Sequence, residues 1–145
     1  MKAVIQRCHR AQVEVGGEVV GKVGRGLAIF VGIAEGDDEE RAARLAQKIA
    51  ALRIFNNTED KFNLSLKDIG GAALVIPNFT LCGDARKGTR PNFGGAAPPV
   101  VAEPLFKQFV TLLRGHNIPV ETGVFGAMMN VLVENDGPVT MILEL

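Results

Sequence analysis

Leu74 to Phe93, LVIPNFTLCGDARKGTRPNF, opens as an apolar run and closes as a cationic loop: no charge precedes Asp84, and Arg86, Lys87 and Arg90 follow closely. The stretch predicts a strand that delivers the hydrogen-bonding side chains of Asn78 and Thr80 to a basic rim. Such a combination suits an anionic ligand.

Upstream, Gly70-Gly71 turns the chain into this strand. Phe62 to Leu66 and the polar turn Asn56 to Lys61 precede it, with a short strand expected at Arg53 to Phe55. Ser65 lacks a nearby histidine and a strand-turn-helix elbow, so it reads as a hydrogen-bonding loop residue rather than a nucleophile. Asp37 with Glu40 is a capping-box pattern, and Ala42, Leu45, Ala46, Ile49 and Leu52 recur at helical spacing behind it. Leu27 to Gly32 reads as a central strand. Gly24-Arg25-Gly26 is not a dinucleotide loop, because Ile29 stands where the third glycine belongs and a strand follows. Met1 to Val23 alternates apolar and polar residues about Gly16-Gly17, the mark of a hairpin. Arg7, near the end of the first strand, reads by spacing alone as a solvated charge.

Downstream, Gly94 to Pro99 resists regular structure and leads into a helix starting around Val101 to Glu103, with Pro104 in its first turn. Leu105, Phe109, Leu112 and Leu113 form its apolar stripe, which ends before Pro119. The last third predicts strands at Val120 to Glu134, interrupted at Gly123 to Ala127, and at Val139 to Leu145. Asn135-Asp136-Gly137-Pro138 between them reads as a turn. These elements describe one α+β domain, residues 1–145, of mixed sheet and two main helices.

Composition narrows the function classes. Sixteen basic residues balance sixteen acidic ones, so nucleic-acid contact has to come from a local patch, and no DNA partner is expected. No apolar run is long enough to span a bilayer and MKAVIQR lacks a signal h-region, which predicts a cytoplasmic protein without a membrane partner. Cys8 and Cys82 are too isolated for a disulfide framework or a zinc site, and two histidines support no metal or Ser-His-Asp set. No metal or cofactor is expected. An enzyme built from this chain lacks an evident base of its own, leaving water, backbone amides and substrate groups to do the chemistry.

Asn78-Phe79-Thr80-Leu81, Gly83-Asp84, Arg86-Lys87-Gly88, Arg90-Pro91 and Ala96-Ala97-Pro98 together resemble the signature region of the D-aminoacyl-tRNA deacylases, also known as D-Tyr-tRNA deacylases. MKAVIQR, Leu52 to Phe55, Gly123 with Phe125-Gly126-Ala127 and Met129, and Asn135 to Thr140 are similar to the same family in the same order. The resemblance implies a homodimeric hydrolase that releases D-amino acids, and glycine mischarged on tRNA-Ala, from the terminal adenosine of tRNA. In that family a cis Gly-Pro pair of one subunit faces the Phe-Thr motif of the other and rejects L-residues by main-chain shape. The 2′-hydroxyl of the tRNA assists cleavage.

Carried over by position, the resemblance makes Phe79 and Thr80 the catalytic motif, with backbone amides as oxyanion donors. Pro77, Asn78, Phe125, Met129, Gly137 and Pro138 become substrate-binding, and Arg7 the support of the gate. Lys87 and Arg90 stand where phosphate would be met. The chain departs from the family in one place: Pro77-Asn78 replaces Ser-Gln, which removes a hydroxyl and an N–H and shortens an amide side chain. A sister branch that accepts L-alanine also begins this motif with proline, whereas Phe79, Arg7 and Asn135 follow the D-specific branch. An L-alanine-tolerant deacylase and a non-catalytic tRNA-binding relative are therefore the alternatives, and a general small esterase is disfavoured by the missing triad.

Overall fold

The computed structural model describes residues 1–145. β1 (Lys2–Val15) and β2 (Glu18–Val23) form the expected hairpin, with Gly16 and Gly17 at φ +59° and +82°, the left-handed geometry that a tight hairpin turn requires. β3 (Gly26–Gly32) runs antiparallel to Lys2–Cys8 of β1 and parallel to β6 (Ala72–Pro77), which in turn is parallel to β7 (Val120–Thr122). The order is β2-β1-β3-β6-β7, and β8 (Asn130–Glu144) pairs with β1 along nearly its whole length. A small separate ribbon joins β4 (Phe55–Asn56) to β5 (Phe62–Leu64).

Two clusters explain the sequence pattern. On one face, Ala3, Ile5, Leu27, Ile29, Val31, Ala73 and Val75 pack under α1 (Glu39–Ala51) and α2 (Pro99–Gly115). On the other, Ala28, Leu74 and Ile76 meet Ala11, Val13 and Val23, because β1 bends and carries β2 back over the sheet. β3 and β6 are thus covered on both faces, so they read as unbroken apolar runs instead of alternations. Burial along β1 slips phase at Arg7 and Cys8, adjacent residues that are both buried. The bend also brings β2 against β7: a Cβ on Gly21 would lie 2.6 Å from the carbonyl oxygen of Thr122.

Several boundaries differ from expectation for physical reasons. α1 is capped by Asp38, which accepts from Arg41 N at 2.9 Å. Asp37 is drawn inward, where its carboxylate meets the Met1 amine at 2.7 Å, Ala34 N at 2.7 Å and Arg41 at 3.1 Å. α2 starts at Pro99, placing Pro104 inside the helix. The carbonyl it leaves without a donor belongs to Val100, an 81% exposed residue, so water can satisfy it. The short strand lies at Phe55–Asn56, slightly later than Arg53–Phe55. The largest difference is at Asn135–Pro138, which is no turn between strands but a bulge inside β8. Gln6 pairs with Thr140 and Cys8 with Asn135, so Arg7 alone faces the four residues Asp136–Val139.

Gly32 ends β3 under the turn that follows β6, where a Cβ would sit 2.9 Å from Leu81 Cβ and 3.0 Å from the Asn78 carbonyl oxygen. Gly32→Ala is expected to lower stability by roughly 1–3 kcal/mol through overpacking. Gly24→Ala, which meets nothing within 4 Å, is expected to be near neutral. Urea titration of both variants checks this; equal midpoints would contradict the close approach.

Candidate active site

The opening stretch builds one wall. β6 ends at Pro77, and Asn78 N reaches across to the Val31 carbonyl at 2.8 Å, prolonging the β3 register by one bond. The chain then closes a short 3-10 turn, Phe79–Cys82, so Asn78 and Thr80 are carried by this turn and not by the strand. Asn78 Oδ1 caps it, accepting from Thr80 N at 3.2 Å and from the Thr80 hydroxyl. Leu81 N donates to the Asn78 carbonyl at 3.3 Å.

A pocket of about 410 Å³ opens beside this turn, lined by Pro77, Asn78, Phe79, Phe93, Phe106 and Phe125 among others. It lies at the carboxyl ends of parallel β3 and β6, where open α/β sheets place ligands. Phe79 is 59% exposed and meets Phe93 edge-on, with ring centroids 5.3 Å apart. Gly83 makes room for that ring, since a Cβ there would touch Phe93 at 2.7 Å. The surface offered is aromatic, apolar and nearly free of charge.

The basic rim is a loop closed by two 2.8 Å bonds between Asp84 and Asn92. Arg86 grips Asp84 with Nε at 2.9 Å and Nη2 at 2.6 Å, which holds the Asp84 carboxyl well below the usual carboxylate range. Arg86 is thereby committed within the chain. Lys87 and Arg90 are exposed and take part in no ion pair, so they are the free cations of the rim.

The second cluster surrounds the β8 bulge. Arg7 is buried, and its Nη1 donates to the Ile54 carbonyl and to Asn56 Oδ1, both at 2.9 Å. Its guanidinium lies 5.5 Å from the ring centre of Phe62. Nε stands 3.0 Å from Asp136 Oδ2, a contact of opposite charges in which the N–H points too far off axis for a hydrogen bond. Asn135 Nδ2 ties the base of the bulge by donating to the Arg7 carbonyl at 2.8 Å and the Val139 carbonyl at 3.1 Å. Gly137 and Pro138, joined by a cis peptide, stand exposed at its tip. The solvated charge expected of Arg7 by spacing alone is thus a buried anchor, because its partners come from positions remote in sequence.

The two clusters are not adjacent in one chain. Arg7 pairs with Leu27 at the start of β3, whereas Val31 and Asn78 stand at its end. That step along the strand is about 13 Å at ~3.3 Å per residue. Pro77, Asn78, Phe79 and Phe125 come together around the pocket. Thr80 and Met129 flank it without lining it, Met129 packing its sulfur against Gly123 beside Pro77. Phe93, Phe106, Asn56 and Phe62 join the two clusters without having been singled out in the sequence. Only the aromatic spacing around Asn78 and the basic loop hinted at Phe93. Neither cysteine competes as a nucleophile: both are buried, burial pushing the Cys8 thiol up to about 11 and raising that of Cys82.

Comparison with known proteins identifies the family and the fold. The family model described as D-Tyr-tRNA(Tyr) deacylase matches residues 4–144. The D-aminoacyl-tRNA deacylase of Chloroflexus aurantiacus is 57% identical over 99% of this chain and 90% of its own length. That of Thermus aquaticus is 54% identical over 99% and 95%. Among solved structures, the c-Myc DNA Unwinding Element Binding Protein superposes with a TM-score of 0.94 at 38% identity, covering 100% of this chain and 99% of that one. A probable eukaryotic D-amino acid tRNA deacylase shares the fold, with a TM-score of 0.83 at 18% identity over 99% and 98% of the two chains. With a family match from end to end and more than half of its residues shared with curated relatives, the chain is an enzyme and belongs to the D-Tyr-tRNA(Tyr) deacylase family.

Proposed function

We propose that the chain hydrolyses the ester joining a D-amino acid, or glycine mischarged on tRNA-Ala, to the terminal adenosine of tRNA, and that its site is completed by a second copy. The observation that carries this reading is the exposed Gly137-Pro138 tip, anchored by buried Arg7 yet standing at the far end of β3 from the Phe79 wall. A surface element so firmly held, with nothing of its own chain to face, is suited to enter a partner's pocket. In a homodimer with twofold symmetry each copy would give its tip to the other and receive one in return.

In this reading the aromatic pocket of Phe79, Phe93 and Phe125 takes the adenosine, with Met129 behind it. Lys87 and Arg90 meet tRNA phosphate, and Arg86 does not, being held by Asp84. Main-chain carbonyls of the Gly137-Pro138 tip hold the amino group, and their bulk excludes an L side chain. Water adds to the ester carbonyl with help from the ribose 2′-hydroxyl, and the ribose oxygen leaves with the proton that the water gives up. The work is cytoplasmic, where charged tRNA is used.

Pro77 supports a second reading, the L-alanine-tolerant deacylase, since proline opens the same motif in that branch. The Arg7 anchor favours D-specificity. One structural relative is named for DNA binding, but two free cations on a rim of a charge-balanced chain make a small footprint for a duplex.

D-tyrosyl-tRNA, L-tyrosyl-tRNA and glycyl-tRNA should be compared with their spontaneous decay. Acceleration for D-tyrosyl- and glycyl-tRNA alone is the expected result. Loss of all three at the spontaneous rate would sink the proposal, and faster release of L-alanine than of any D-residue would favour the second reading. Salt-sensitive tRNA binding without turnover would indicate a non-catalytic relative, and turnover of a simple ester without tRNA an esterase. Gly137 lies at φ +122°, where a Cβ would meet Val139 Cγ2 at 2.9 Å and Arg7 Nη2 at 3.1 Å. Gly137→Ala is therefore expected to cost at least tenfold in deacylation, and more than Thr80→Ala, because discrimination rests on backbone shape. Unchanged activity in Gly137→Ala would contradict the gate.

A further inference from the structure

The main-chain donors of the Pro77–Leu81 wall other than Phe79 N are spent inside the chain. Pro77 has no N–H. Asn78 N is bonded to the Val31 carbonyl at 2.8 Å, Thr80 N to Asn78 Oδ1 at 3.2 Å, and Leu81 N to the Asn78 carbonyl at 3.3 Å. The Thr80 hydroxyl also donates to Asn78 Oδ1. Thr80, a member of the expected catalytic motif, thus has both of its donors turned onto its neighbour.

These same bonds fix how Asn78 is oriented. Its backbone is held on both sides, and a side-chain atom that accepts from an amide and a hydroxyl has to be the oxygen. The other end, Nδ2, is therefore a donor of fixed direction. It makes no hydrogen bond within the chain, and it belongs to a residue that lines an otherwise apolar pocket. A donor already aimed needs little reorganisation when charge develops nearby.

Resting on the deacylase reading above, we infer that Asn78 Nδ2 is a catalytic hydrogen-bond donor to the ester carbonyl oxygen, and that Thr80 serves as a positioning residue which aims it. As water oxygen bonds to the carbonyl carbon, the π pair moves onto the carbonyl oxygen, and Nδ2 stabilises that charge without giving up its proton. The pair returns to the carbonyl when the ribose oxygen departs. The shorter amide side chain beside Pro77 then has a use: it reaches forward to Thr80 in a tight turn and leaves its nitrogen unbonded within the chain.

Asn78→Asp tests this with almost no change of shape. The carboxylate still accepts from both Thr80 donors, so the turn is kept, but an anionic oxygen replaces the donor. Single-turnover deacylation of D-tyrosyl-tRNA is expected to fall on the order of 10²-fold or more, with KM changed only a few-fold and thermal midpoint retained. Asn78→Ser, which also caps the turn and removes Nδ2, should lose rate comparably. Thr80→Val should lose part of the rate, and Thr80→Ser should restore it. Either Asn78 variant turning over within threefold of the parent would overturn the donor role while leaving the deacylase reading intact. A parent without turnover would overturn both.

Discussion

A buried guanidinium organises the Gly137-Pro138 side of this molecule. Arg7 sits in the first strand, out of water, and the β4–β5 ribbon offers it the Ile54 carbonyl, Asn56 Oδ1 and the face of Phe62. A charge in that position is tolerable only with such partners, and removing one leaves an uncompensated ion that typically costs about 3–5 kcal/mol. Asp136 supplies the opposite charge at 3.0 Å, and it does so from the residue before Gly137. Burying Arg7 and holding the Gly137-Pro138 tip are therefore one event. His9, 3.4 Å from the other oxygen of Asp136, adds a second cationic neighbour when protonated.

The pocket side depends on close approach instead of charge. Gly32 and Gly83 are places where a Cβ would strike the 3-10 turn or the ring of Phe93. Their absence of side chain lets the turn sit directly on the end of β3 and lets two phenylalanines meet at the rim. Asn78 then draws Thr80 into a cap, leaving an apolar cavity with a single amide at its margin. The two sides are linked through β3, which carries the Arg7 register at one end and the Asn78 register at the other. Rigidity of one buried strand fixes the spacing of both.

Much of this was legible in the residues, and what was not shares a cause. The hairpin at Gly16-Gly17, the buried β3 and the apolar stripes of both helices follow from local pattern, and the structure has them. Asp37, Arg7 and Asn135–Pro138 misled because their partners are far along the chain. Asp37 reads as a cap until the Met1 amine is placed beside it. Asn-Asp-Gly-Pro has the composition of a turn, yet β1 is long enough to pair with strand on both sides of it, so the ladder continues and Asp136 to Val139 bulge outward. The Asn78–Thr80 cap is local, by contrast, and an Asn two residues before Thr at the end of a strand is a signal that could have found it. Phe62 and Asn56 carried no such mark.

The central claim is that one complete site needs two chains, and complementation measures it directly. Phe79→Ala damages the pocket wall and Gly137→Ala the tip. Co-expressed with different affinity tags and purified on both, the mixed pair has one site with both lesions and one with neither, so about half of the parental D-tyrosyl-tRNA deacylation should return. Mixed pairs no more active than the two separate variants would contradict a shared site and place the whole reaction within a single chain.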